Sequence, residues 1–156
     1  MTSFPAGPAP GFPGAVLFAC NLNCVRSPMA AALLRQRFGA RIFIDSCGLR
    51  AGAEVDPFVV SIMDEMGIDV ADHRPKTFDH LDDSSFDLVI SLTPEAHHRA
   101  LEFARGLAME VEYWPTLDPT AYEGGRDQRM EQYRAVRDTL SRRLFDRFGR
   151  PSTFGG

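Results

Sequence analysis

Short strand-like runs alternate with helix-patterned segments along most of the chain, and few architectures accept that rhythm. Ala15–Ala19 is apolar throughout, as in a strand covered on both faces. Arg41–Asp45, Phe86–Leu92 and Met109–Trp114 read as three further strands. Helices are predicted over Pro28–Phe38, Pro57–Met66, Pro94–Phe103 and Asp127–Phe148. Met29, Leu33 and Leu34 share a face of the first, where Pro28 suits the opening turn and Ser27 is placed to cap. Phe58, Val59, Ile62, Met63 and Met66 point inward from the second, which Gly67 stops. Met130, Tyr133, Val136, Leu140, Leu144 and Phe148 form one stripe along the last. Strands separated by helices build βαβ units with right-handed crossovers. The expectation is a single-domain α/β fold, a doubly wound parallel sheet with helices on both faces. A length of 156 residues and a 44% hydrophobic composition suit one core, with no internal repeat. Residues 1–14, rich in Pro and Gly, are expected to be a mobile tail, and residues 15–150 the folded domain.

Ligands of open parallel sheets bind beyond the carboxyl ends of the strands. Four segments must meet there: Cys20–Ser27, Ser46–Gly52, Leu92–Glu95 and Pro115–Tyr122. The first is the most informative. Cys20 ends a strand, and Arg26, at the sixth position after it, begins a helix, followed by Ser27 and Pro28. The loop Cys20-Asn21-Leu22-Asn23-Cys24-Val25-Arg26-Ser27 is long enough to turn successive N–H groups inward around an oxyanion. The helix N-terminus adds partial positive charge, and the planar fork of Arg26 matches two oxygens of a tetrahedral anion. Those positive groups favour a thiolate at Cys20, placing a nucleophile against a phosphorus atom. A lone Cys after a strand is usually only a small buried hydrophobe. The Arg, the Ser and the strand–loop–helix setting together reverse that reading.

A formal net charge of -4 gives no reason to expect nucleic acid or an anionic membrane as partner. Three cysteines, Cys20, Cys24 and Cys47, are too few and odd in number for a disulfide framework. No apolar run reaches transmembrane length, and the N-terminus lacks the pattern of a signal peptide. The expected location is the cytoplasm.

From about Val16 to Phe148 the sequence resembles the low-molecular-weight protein tyrosine phosphatase family. The resemblance rests on the Cys20–Ser27 loop, Asp45-Ser46-Cys47-Gly48, Asp72-His73-Arg74 and Asp118-Pro119. It implies four strands in the order 2-1-3-4 and hydrolysis of phosphomonoesters, protein phosphotyrosine among them, through a phosphocysteine. It also implies roles. Cys20 would attack, and Arg26 with the amides along Asn21, Leu22, Asn23, Cys24, Val25 and Arg26 would hold the oxygens. Asp118 would act as acid and then base, and Ser27 would hydrogen-bond the thiolate. Asn23, a residue tolerant of left-handed backbone, would brace the loop with Ser46. His73 matches a family position near the loop. Neither metal nor cofactor is implied; the partner is a phosphorylated protein or small-molecule phosphoester. Alone, Asp118 reads as a turn residue, Ser46 as a loop serine and His73 as a structural histidine.

The chain departs from the family pattern in three places. Leu22 stands where the family usually has Gly, and Val25 where it has a second Cys, with Cys24 one position earlier. A Cys20–Cys24 disulfide stays open on spacing alone. Leu49-Arg50-Ala51 and Thr120-Ala121 replace the aromatic walls of the cleft, and Tyr122 is displaced. Arg50 there points to an acidic or differently shaped phosphoester. Leu92-Thr93-Pro94-Glu95 lacks the usual acid after the third strand. Two alternatives stand beside phosphomonoester hydrolysis: an arsenate reductase using an external thiol, and a non-enzymatic phosphate-binding module. A metal site from Cys20, Cys24, His97 and His98 is the weakest reading, because the His pair falls in a helix expected to be exposed.

Overall fold

The computed structural model describes residues 13–81 and 85–149. The expected tail at 1–14 lies outside them except for Pro13 and Gly14. Strand β1 (Ala15–Cys20) leads into helix α1 (Arg26–Phe38), then β2 (Phe43–Gly48), α2 (Pro57–Asp64), β3 (Leu88–Ser91), α3 (Pro94–Phe103), β4 (Glu110–Tyr113) and α4 (Arg126–Phe148). All pairings are parallel, in the order β2-β1-β3-β4. The fold is the single α/β domain the sequence predicts.

β1 is central because both of its faces are apolar. Val16, Phe18 and Cys20 face a core with Met29, Leu33 and Leu34 of α1 and Tyr133, Leu140 and Leu144 of α4. Leu17 and Ala19 face a smaller core with Ala96 and Ala100 of α3 and with Phe78 and Phe86. β4 is the edge strand, where Glu110 and Glu112 discourage further pairing.

Three local expectations are corrected. The second strand runs over Phe43–Gly48, not Arg41–Asp45, because Gly39–Arg41 forms a 3-10 turn after α1. Its polar residues stay in the sheet because each finds a partner: Asp45 the Lys76 ammonium at 2.6 Å, Ser46 the Asn23 amide at 2.9 Å. α2 ends at Asp64, before a turn in which Gly67 takes φ 74° and Met66 is exposed. Ser27 is not a cap: α1 begins at Arg26 after Val25 without a side-chain cap, and the Ser27 hydroxyl is spent elsewhere.

The sheet order reverses between β1 and β3, so the crevice for a ligand opens where the Cys20 loop leaves β1.

Candidate active site

Asn23 organises the loop after β1. It has φ 58°, the left-handed region, and is fully buried. Its Nδ2 donates to Ser27 Oγ and to Ser46 Oγ, both at 2.9 Å, and its Oδ1 accepts from the Lys76 N–H at 2.9 Å. Its carbonyl lies 2.8 Å from His73 Nε2, so that nitrogen carries the proton. Burial pulls the His73 imidazolium below the usual histidine range.

The remaining loop carbonyls are also tied outward. Cys20, Asn21, Leu22 and Cys24 accept from the N–H groups of Leu49, Arg50, Gly52 and Asp56 at 3.2, 3.0, 2.9 and 3.0 Å. Among the described residues nothing accepts from the N–H groups of Asn21 to Arg26. A loop with its carbonyls bonded outward and its amides unspent is an anion cradle, and it opens onto the first turn of α1.

Cys20 lies at the base of this cradle, 2% exposed, with its Sγ 2.9 Å from Ser27 Oγ. Ser27 Oγ also approaches the Cys47 carbonyl at 3.3 Å. With Cys20 as a thiol, the Ser27 proton can point at that carbonyl; with a thiolate it can turn to the sulfur. Arg26 is 11% exposed at its side chain, donates to the Thr116 carbonyl at 2.9 Å and stands 3.8 Å from Asp118 Oδ2. Asp118 Oδ1 accepts from the Thr120 N–H at 3.0 Å and hydroxyl at 2.6 Å, which aims the other oxygen at the cleft. A cleft of about 200 Å³ unites Cys20, Arg26 and Asp118 with Asn21, Leu22, Cys24, Val25, Arg50 and Thr120. The fold thus brings every sequence-predicted site residue to the loop: those above line it, and Asn23, Ser27, Ser46 and His73 support it from behind.

All three cysteines are free thiols. Cys24 sits at the cleft wall, where burial pushes its thiol up to about 11. Cys47 is fully buried, and burial pushes its thiol up as well. Tyr122 lines a neighbouring cleft of about 490 Å³ between the Asp118 segment and α4, away from the sulfur. His97 is partly buried, held to Ser91 Oγ at 2.9 Å and stacked on Tyr113. No group of three or more His, Cys, Asp or Glu among the described residues is arranged for a metal.

Sequence reasoning missed four supports: Thr93, Thr116, Thr120 and Lys76. Thr93 donates its hydroxyl to Asn21 Oδ1 at 2.7 Å while capping α3 through the Ala96 N–H at 3.0 Å. The Thr93-Pro94 pair is a readable helix start, and Thr120 two residues after Asp118 is a readable turn partner. Thr116 and Lys76 act through the backbone, which leaves no side-chain signature.

The sequence profile of the low molecular weight phosphotyrosine protein phosphatase family matches residues 15–148. A glutaredoxin arsenate reductase of Synechocystis is 28% identical over 83% of this chain and 92% of its own length. A protein-arginine-phosphatase of Geobacillus stearothermophilus is 31% identical over 86% and 93%. The crystal structure of an arsenate reductase from Archaeoglobus fulgidus superposes with a TM-score of 0.66 at 25% identity, covering 86% of this chain and 98% of that one.

Proposed function

The chain belongs to the low molecular weight phosphotyrosine protein phosphatase family, and from that premise we propose that it hydrolyses phosphomonoesters through a phosphocysteine at Cys20. The observation that carries this reading is the pairing of the amide cradle over Cys20 with a carboxylate across the same cleft. A module that only bound phosphate would use the cradle and Arg26 and would need neither a sulfur nucleophile nor an acid.

In this reading the equatorial oxygens lie against the amides of Asn21 to Arg26 and the Arg26 guanidinium. Cys20 Sγ attacks the phosphorus in line, and the S–P bond forms as the P–O bond to the leaving group breaks. Asp118 gives its proton to the departing oxygen and then takes one from the water that cleaves the S–P bond. Ser27 turns its hydroxyl to the sulfur when the thiolate forms and again when it leaves. Asn23, Ser46 and His73 hold the cradle in shape. The substrate is a phosphorylated protein or a small phosphoester, and the compartment we assign is the cytoplasm.

A second reading has specific support from the relatives named as arsenate reductases. Arsenate would add to Cys20 with loss of water. An external thiol would then attack Cys20 Sγ, releasing arsenite and leaving a mixed disulfide for a second thiol to reduce. An internal relay has less support: burial pushes the Cys24 thiol up to about 11, away from the reactive thiolate, and Cys47 is fully buried in the core.

The test compares wild type, Cys20→Ser and Asp118→Asn on aryl phosphates of graded leaving-group basicity, and measures arsenite formed from arsenate with added thiols. Cys20→Ser should abolish hydrolysis. Asp118→Asn should slow it about 10²–10⁴-fold, most for the poorest leaving group. Arsenite production without phosphoester turnover selects the second reading, and neither activity leaves a phosphate-binding module.

A further inference from the structure

Resting on the phosphomonoesterase reading, we propose that Arg50 is a specificity-determining residue that selects phosphomonoesters whose leaving group carries a second negative charge.

Arg50 is held against the phosphate loop by its backbone. At Gly48 a Cβ would fall 2.8 Å from the Asn23 nitrogen and 2.9 Å from the carbonyl oxygens of Asn21 and Arg50, so only glycine lets the chain pass this close. The Arg50 N–H then bonds the carbonyl of Asn21, the residue that follows the nucleophile. That anchoring fixes where the side chain starts, and Arg50 is one of the residues lining the cleft over Cys20.

The charges of the cleft leave this guanidinium over. Arg26 is engaged by the Thr116 carbonyl and faces Asp118. Asp118, the one carboxylate lining the cleft among the described residues, is held by Thr120 on its other oxygen. Among the described residues Arg50 has no side-chain hydrogen bond or ion pair. The reacting phosphoryl group is met by the amide cradle and Arg26, so Arg50 is free for an acid elsewhere on the substrate, which its planar fork suits. At about 200 Å³ the cleft is smaller than the ~300–1,000 Å³ usual for drug-sized ligands, so a second acid must sit close to the phosphate. Arg50 is solvent-exposed, so the preference is moderate and weakens in salt.

The experiment measures kcat/KM for phenyl phosphate and carboxyphenyl phosphate with wild type, Arg50→Ala, Arg50→Lys and Arg50→Glu. The readout is the change in the carboxylated-to-plain ratio between enzymes, in which leaving-group reactivity cancels. We expect that ratio to fall about tenfold in Arg50→Ala, equivalent to about 1.4 kcal/mol. It should fall less in Arg50→Lys and further in Arg50→Glu, and high salt should shrink the wild-type preference. An unchanged ratio overturns the proposal, and so does an equal loss on both esters, which would make Arg50 a ligand of the phosphate itself. If wild type hydrolyses neither ester, the hydrolase reading fails separately. Arg50 is then tested by calorimetry on Cys20→Ser with phenylphosphonate and carboxyphenylphosphonate. About tenfold tighter binding of the carboxylated ligand, lost in Cys20→Ser/Arg50→Ala, upholds the selectivity; equal affinities overturn it.

Discussion

Asn23 carries more of the site than its small side chain suggests. Its amide serves Ser27, Ser46 and the Lys76 N–H at once, inside a backbone turn that most residues resist. Replacing it with Ala strands buried groups, each worth about 1–3 kcal/mol when left unpaired. Asn23→Ala should therefore lose about 2–4 kcal/mol in denaturant unfolding and at least tenfold in aryl phosphatase kcat. Stability held at the wild-type value would mean the loop does not depend on this amide. The family resemblance made Asn23 legible, and its tolerance of left-handed backbone suits it to the place. The sequence left the Lys76 link hidden, because a main-chain donor is the same whatever residue bears it. Of the two roles expected of Ser27, the contact with the Cys20 sulfur is present and the cap is not: a hydroxyl at a helix start is usually spent on the backbone, and here a sulfur and an amide claim it first.

At the scale of elements, α2 is clamped to α4 beside the loop. Glu65, just past α2, accepts from Arg134 at 2.8 Å and from Arg137 at 2.9 Å, while Arg137 also donates to the Ile62 carbonyl at 2.7 Å. Those hydrogen bonds draw the Glu65 carboxyl down from 4.5 to about 2. A carboxyl lowered on folding contributes stability above its unfolded pKa and loses it as pH falls toward the folded one. The contribution should therefore be intact above pH 4.5 and fade toward pH 2. Glu65 is more than a third exposed, so its share is discounted to about 0.5–1 kcal/mol. Glu65→Gln should lower stability by that amount at pH 7 and converge with wild type in acid; parallel curves would place the clamp elsewhere. This pairing was not readable in advance, since 69 residues separate Glu65 from Arg134. The second strand was misjudged for a like reason: its inner polar residues looked like a loop until Asn23 and Lys76 supplied their partners.

The whole molecule was the most legible. Alternating strands and helices fixed the parallel sheet, and the resemblance carried by Cys20, Arg26 and Asp118 supplied the order 2-1-3-4 that is observed. That order sets the crevice beside β1, where residues 98 positions apart in sequence, Cys20 and Asp118, share one cleft. Less legible was the balance of its walls. Composition reports a net charge of -4, yet the cleft pairs two arginines with one carboxylate. A surface average says nothing of a local excess. In the proposed mechanism the sheet, the cradle and the acid serve one step, covalent transfer of a phosphoryl group to one sulfur. The most direct measurement is a rapid-quench time course with an activated aryl phosphate, followed by mass analysis of the peptide containing Cys20. The account predicts a burst of leaving group stoichiometric with enzyme and a phosphoryl increment on Cys20, both absent in Cys20→Ser. Steady turnover with no phosphoryl group on Cys20 at any time would contradict it.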